Sequence, residues 1–233
     1  MSLNGLTPTA PRFNMYGPIH KALRLFLGDS LGRMGRLDWQ DEAELAEVCD
    51  QLDSLVAVLR GHLEHEDKFI HPFMQARQPG SPAQAGGEHH DHLEALAELA
   101  LEVRLLRQQP GETQAARVYQ NLALLMAENL THMQWEETMH HQSLWQHASD
   151  AELHELHDRL VASIAPQEMA MVMGWMLPAL APRERAGLLL GMREGAPPPV
   201  FDAMLKLAQQ KLDSKSWAKL ALALQLAPQP QAA

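Results

Sequence analysis

Two histidine–glutamate pairs with the same spacing constrain this chain more than any other feature: His62-x-x-x-Glu66 and His132-x-x-x-Glu136. Residues four apart lie on one face of an α-helix, one turn from each other. In both segments that face is otherwise apolar at steps of three and four residues, which is typical of a helix face buried in a core. The apolar positions are Leu45, Val48, Leu52, Leu55 and Leu59 before the first pair, and Val118, Leu122 and Leu125 before the second.

An imidazole or a carboxylate that is buried without a partner costs kilocalories of stability. A hydrogen bond between the two side chains would offset this cost in a single pair, and such buried pairs are common. Two pairs at identical spacing on two amphipathic segments favour a different explanation. They indicate a metal ion that binds side chains from both segments.

The composition favours helices and argues against several classes of partner. Strong helix formers are abundant and β-branched residues are rare. The formal net charge of −10 argues against nucleic acid and anionic membranes as partners. Cys49 is the only cysteine, so no intramolecular disulfide can form, which fits a reducing compartment. No run approaches the ~18 apolar residues of a membrane span, and the first 18 residues lack the pattern of a signal peptide. We therefore expect a cytoplasmic protein.

Glycine and proline divide the chain into three parts. Residues 1–16 show no periodicity and are expected to form a flexible lead-in. Residues 17–148 contain four long amphipathic segments with short connections, which predicts an up-and-down four-helix bundle. Residues 149–233 are expected to form a C-terminal module of short helices that begin at prolines. The predicted fold class is all-α.

The first and third long segments carry further histidines on their inward faces. His20 lies on the apolar stripe of the first segment. His89 and His92 flank the stripe of the third segment, whereas His90 points away. At ~1.5 Å rise per residue, the histidines of all four segments fall within about two turns of a common level. Four helices therefore supply candidate ligands to one layer.

Other polar residues are expected to lie outside the metal site. Glu64 and Glu137 point away from it on a regular helix, and eight histidines are expected to be solvated or to cap helices: His65, His71, His90, His140, His141, His147, His154 and His157. A ferritin-like di-iron site is the nearest alternative, but it needs two Glu-x-x-His motifs. The sequence has one, Glu137-x-x-His140. The His-Glu-x-x-His motif of zinc peptidases is absent.

The chain carries four motifs around these positions: His20 in Ile-His-Lys-Ala-Leu, His62-x-x-x-Glu66, Glu88-His89 and His132-x-x-x-Glu136-Glu137. Together they resemble the hemerythrin-like family of cation-binding bundles, over about residues 16–145. The resemblance implies a non-haem di-iron centre in which Glu66 and Glu136 bridge two iron ions. It also implies terminal ligands, His20 and His62 on one ion and His89 and His132 on the other. Zinc or manganese would accept the same donor set.

Two features differ from the hemerythrins that carry oxygen. Those proteins place two histidines four residues apart on the third helix, whereas here His92 follows His89 by three and Leu93 takes the fourth position. Their second carboxylate follows its histidine by five residues, whereas Glu136 follows His132 by four. The four-residue spacing occurs in hemerythrin-like proteins that sense iron or respond to nitrosative stress. His92 is the seventh candidate ligand.

Three classes of function remain open at this point. The first is a protein that binds or senses oxygen or iron, with oxygen or nitric oxide as its small diatomic ligand. The second is a di-iron redox protein that acts on peroxide or nitric oxide, or one that donates iron in stress repair. The third is an interaction module, in which metal loading controls how the C-terminal helices bind a protein partner.

Overall fold

The computed structural model describes residues 12–226, which are helical almost throughout and contain no strand, so the all-α prediction is confirmed for this range. The long helices are α1 (Gly17–Gly35), α2 (Glu42–His65), α4 (Ala83–Gln108) and α5 (Glu112–Trp135). Shorter ones are α3 (His71–Arg77), α6 (His141–His147), α7 (Asp150–Ser163), α8 (Pro166–Ala179), α9 (Pro182–Gly195), α10 (Pro198–Lys211) and α11 (Ser214–Ala223). No single helix in residues 12–226 is long and apolar enough to cross a membrane. α7 and α8 pass that test only together, as a pair bent by 117°.

The four long helices share one apolar core. α1 packs against α2 and α5, and α4 packs against the same two helices. The predicted stripes lie inside this core, where Leu52, Leu55, Val118 and Leu122 are fully buried. Each such side chain contributes roughly 1.5–3 kcal/mol relative to an exposed position.

Two π-helical turns interrupt the long helical runs. Glu66–Ile70 joins α2 to α3, and Glu136–His140 joins α5 to α6. In the first turn the His71 N–H donates to the Glu66 carbonyl five residues earlier, which is the π-helical bond. Pro72 follows at once and has no N–H to continue a regular α-helical ladder. The second turn has no proline, so proline alone does not explain the pair.

The later helices pack onto the long ones. α8 lies against α1 and α2, where Trp175 stacks on Phe26 with ring centroids 4.0 Å apart. α7 packs on the first π turn and contributes Leu153 and Leu156 to a second apolar cluster. Helices α8 to α11 bury a third cluster of their own. α8, α9 and α10 each begin at a proline.

The segment before α1 is held by residues far along the chain. The Arg12 guanidinium donates to the Asp150 carboxylate at 2.6 Å and to the carbonyl oxygens of Trp145 and Ala148. Tyr16 is 1% exposed. Within the lead-in predicted for residues 1–16, Arg12 and Tyr16 thus make specific contacts with the rest of the chain, and residues 1–11 lie outside the described part of the chain.

Candidate metal centre

Six of the seven predicted ligands converge in one layer, between the main apolar core and the cluster that contains α7. His20 comes from α1, His62 from α2, His89 from α4 and His132 from α5, while Glu66 and Glu136 begin the two π turns. Their ligand atoms form two groups, each with all atoms within 4.8 Å of one another. The groups are His20, His62, Glu66 and Glu136, and Glu66, His89, His132 and Glu136. Both glutamates belong to both groups, so the carboxylates stand between two pairs of imidazoles.

His20 and His62 form the first pair of imidazoles. The Nε2 atom of His20 lies 3.4 Å from Oε2 of Glu136, and the Nε2 atom of His62 lies 3.4 Å from Oε1 of Glu66. The two rings are nearly perpendicular, with centroids 5.3 Å apart. All four side chains point into a volume from which solvent is almost excluded.

His89 and His132 form the second pair. Their Nε2 atoms face each other at 3.1 Å. The Nε2 atom of His89 lies 3.4 Å from Oε2 of Glu66, and that of His132 lies 3.4 Å from Oε2 of Glu136. Two nitrogen lone pairs repel at such a distance, so the contact requires a proton or another cation between the rings.

Three carboxylates at the outside of the layer accept hydrogen bonds from the Nδ1 atoms of His20, His89 and His132. Because an ionised carboxylate only accepts hydrogen bonds, each Nδ1 must carry a proton, and the Nε2 of a neutral ring then presents its lone pair to the interior. This carboxylate–imidazole arrangement is the one that orients metal-binding histidines. The hydrogen bonds are His20 Nδ1 to Glu137 at 3.1 Å, His89 Nδ1 to Asp67 at 2.8 Å and His132 Nδ1 to Glu88 at 2.7 Å.

The inward atoms of the first group have no hydrogen-bond partner. They are Nε2 of His20, Nε2 of His62 and both carboxylate oxygens of Glu66 and of Glu136, and all are buried. Unpartnered buried polar atoms are rare and costly. Here they are concentrated in one place, and each carboxylate oxygen offers lone pairs. The residues present therefore fit a bound metal ion, and each of the two groups could hold one.

The two glutamates favour positive charge in this layer. Burial raises the pKa of Glu66, and burial together with the charge of Glu66 raises the pKa of Glu136. Burial by itself lowers the pKa of His89, but the nearby carboxylates of Glu136 and Glu66 outweigh it and raise that pKa to about 10. In the metal-free protein His89 is therefore protonated at neutral pH and satisfies the contact with His132. A divalent ion would replace this proton and carry more positive charge.

The seventh predicted ligand, His92, lies beside the second pair but belongs to neither group. Its ring stands perpendicular to that of His132, with centroids 4.9 Å apart. Burial and the nearby His132 lower the pKa of His92 to about 4, so the ring is neutral at physiological pH. Its position three residues after His89 turns it away from the direction that His89 takes.

Three histidines that were expected to be solvated or capping are buried here, so that expectation is wrong for them. His71 is 8% exposed, His140 is 1% exposed and His141 is 3% exposed. His71 and His140 form a further group of close ligand atoms with Glu136. His141 stacks on Trp145 and its Nδ1 donates to the Glu137 carbonyl.

Glu137 was also expected to point away from the site, and this is wrong as well. Its carboxylate accepts from His20 and from the Arg24 guanidinium, the latter at 2.6 Å. Burial alone would raise the pKa of Glu137, but these hydrogen bonds lower it to about 2. Glu64 is exposed, as expected.

Tyr16 closes the layer beside His20 and was not identified as a site residue from the sequence. Its hydroxyl lies 3.1 Å from Nδ1 of His140, and its ring stacks on His20 with centroids 5.2 Å apart. Burial, followed by the charges of Glu136 and Glu66, raises the pKa of Tyr16 well above its usual value. The phenol therefore stays protonated.

A repeated spacing could have identified two of the missed histidines. His62, Glu66 and His71 recur at an offset of 70 residues as His132, Glu136 and His141. In both segments the glutamate begins the π turn and the last histidine follows the turn. His140 has no histidine counterpart, because Ile70 occupies the equivalent position in the first segment.

Comparison of the chain with protein-family models, with curated proteins and with solved structures found no match in any of the three.

Proposed function

We propose that this chain is a hemerythrin-like metalloprotein that holds two iron ions among its long helices. In this proposal α1, α2 with α3, α4, and α5 with α6 form an up-and-down four-helix bundle over residues 17–148. Residues 149–233 are the C-terminal module. The observation that carries the proposal is the pair of close ligand groups that share Glu66 and Glu136.

The ligand assignment follows the two groups. His20 and His62 bind one ion, His89 and His132 bind the other, and Glu66 and Glu136 bridge them. The imidazole and carboxylate donors suit iron, while zinc and manganese are the alternatives to be tested. Glu137, Asp67 and Glu88 keep three of the histidine rings in the orientation that turns Nε2 inward.

The main candidate function is the binding or sensing of oxygen or of iron itself in the cytoplasm. Bound iron would supply the capacity to bind a diatomic molecule and to change oxidation state. The chain's own residues exclude bulk water, since apolar clusters lie on both sides of the layer. They also balance the charge of the ions with carboxylates that are already in place.

A second candidate function is favoured by the position of His92 outside both groups. A fifth histidine would leave a single open position on the two ions, which suits reversible binding of one small molecule. With two histidines per ion, both ions keep an open position. This arrangement favours redox action on peroxide or nitric oxide, or donation of iron in stress repair.

The test is anaerobic purification followed by metal analysis and optical spectra before and after oxygen is added. We expect at least two iron ions per chain and a new absorption band after oxygen. A band that disappears when oxygen is removed supports binding, whereas permanent oxidation with consumption of peroxide supports the second candidate. A chain that binds no iron after anaerobic reconstitution would overturn both.

A further inference from the structure

Two buried histidines, His71 and His140, lie next to Glu136 but are not among the ligands of the proposed metal pair. A ring nitrogen of His71, a ring nitrogen of His140 and an oxygen of Glu136 lie within 4.8 Å of one another. None of these residues is more than 8% exposed. His71 Nε2, His140 Nε2 and Glu136 Oε1 are buried without a hydrogen-bond partner.

The two oxygens of Glu136 face different histidines. Oε2 lies 3.4 Å from Nε2 of His20 and 3.4 Å from Nε2 of His132. These two histidines are assigned to the two different ions of the proposed metal pair. Oε1 lies 3.8 Å from Nδ1 of His140. It also lies 3.8 Å from Nε2 of His89. One carboxylate can therefore serve the pair through Oε2 and a separate ion through Oε1.

His71 is supported in the same way as the histidines of the pair. Its Nδ1 lies 2.8 Å from Oδ1 of Asp67, the same oxygen that accepts from His89. The carboxylate of Asp67 is 43% exposed, so this side of the layer is reached from solvent through an acidic group. Its negative charge attracts cations at the point where they would arrive.

We propose that His71, Glu136 and His140 form a third binding position for a divalent transition-metal ion. The position goes beyond the proposed pair, but it rests on the same layer and shares Glu136 with it. Two imidazoles and one carboxylate with open positions are a donor set for ferrous iron or zinc. Tyr16, whose hydroxyl contacts His140, holds that ring in place.

The experiment counts ions by native mass spectrometry after anaerobic titration of the full chain with Fe²⁺. We expect three ions in the unaltered protein and two in the variants His71→Leu and His140→Leu. His141→Leu is the matched control, because His141 is equally buried on the same segment but belongs to no ligand group. Glu66→Ala removes a bridge of the pair and leaves all three residues of the third position. Circular dichroism identifies any variant that has unfolded, and His71, the most exposed of the three residues, is the least disruptive to replace.

The outcomes separate this proposal from the proposed pair. Two ions in the unaltered protein and two in His71→Leu overturn the third position and leave the pair intact. A fall from two ions to one in His71→Leu also overturns it, since the histidine would then belong to the pair. A single ion that is lost in His71→Leu and retained in His20→Leu supports the third position and overturns the pair. No bound ion in any protein overturns both.

Discussion

His20 and Glu137 are joined by a 3.1 Å hydrogen bond from the imidazole Nδ1 to the carboxylate, across 117 positions of sequence. Arg24 donates to the same carboxylate and helps to keep it ionised. Glu137 follows Glu136 directly, so one π turn provides both a candidate ligand and the support for a ligand on another helix. The orientation of His20 therefore depends on a residue that belongs to neither of the two candidate ligand groups.

Replacing Glu137 with Ala should weaken metal affinity by about 10–100-fold, the usual effect of losing such a supporting group. The His20 ring would lose the acceptor that fixes its Nδ1 proton, and Arg24 would lose its partner. Anaerobic competition with a chromophoric chelator measures the affinity. Glu64→Ala is the control, because Glu64 is exposed on the helix that precedes the other π turn. Equal affinity in the two variants would remove Glu137 from the site.

Replacing either shared glutamate should reduce the number of bound ions. Glu66 and Glu136 each belong to both ligand groups, so Glu66→Ala and Glu136→Ala should each lower loading of the pair from two ions toward one or none. Elemental analysis after anaerobic reconstitution gives the count. Glu128, an exposed glutamate of α5, provides the matched control variant Glu128→Ala. If that control lost as much metal as Glu136→Ala, the loss would not come from the site.

The regular helices could be predicted because periodicity and burial agree in them. The apolar stripes of α2 and α5 extend to the His–Glu pairs without interruption, so His62, Glu66, His132 and Glu136 were placed correctly on the inward face. His20 was placed by the same reasoning on α1. A period of 3.6 residues predicts which side chains face inward up to the first residue of each π turn.

The residues after each π turn could not be placed from that period. A π turn takes in one more residue than an α turn, so every later side chain is rotated relative to a regular helix. His71 and His141 follow such turns and His140 lies inside one, which is why all three were assigned to the surface. The contact between Glu137 and His20 was missed for another reason: it joins two helices, and a single-helix pattern carries no signal for it.

The His92→Leu variant should keep its metal. Because His92 lies in neither ligand group and its ring is neutral and buried, leucine should replace it with unchanged metal content and an unchanged iron–oxygen spectrum. His89→Leu, three positions earlier on α4, should lose metal and serves as the positive control. Loss of metal or of oxygen affinity in His92→Leu would place His92 in the site and would favour reversible binding of oxygen over the redox function.

Removal of the metal should lower the melting temperature. The layer would then contain buried polar atoms of His20, His62, Glu66 and Glu136 that have no hydrogen-bond partner. Binding at 1,000 times Kd stabilises a native state by about 4 kcal/mol, which corresponds to roughly 8–16 °C for a chain of this size. Calorimetry before and after chelation measures the shift. An identical melt after verified metal removal would show that no buried site had been filled.

The metal-free protein should also respond to alkaline pH through His89. The pKa of this ring is raised from 6.5 to about 10 in the folded protein, because Glu136 and Glu66 outweigh the effect of burial. A raised pKa stabilises the folded state fully below the unfolded value. That stability is then lost as the pH rises toward the folded value.

Between pH 7 and 10 the free energy of unfolding of the metal-free protein should therefore fall, by up to about 1.4 kcal/mol per pH unit from this one group. In the metal-bound protein the ion replaces the proton, so the contribution of His89 should disappear. Urea titrations at a series of pH values measure both.

The variant His89→Gln keeps a polar side chain without an ionisable ring, and its metal-free form should lack this part of the slope. The same slope in the variant and in the unaltered metal-free protein would mean that the proton resides elsewhere. The positive charge that the close contact between His89 and His132 requires would then have to come from another group.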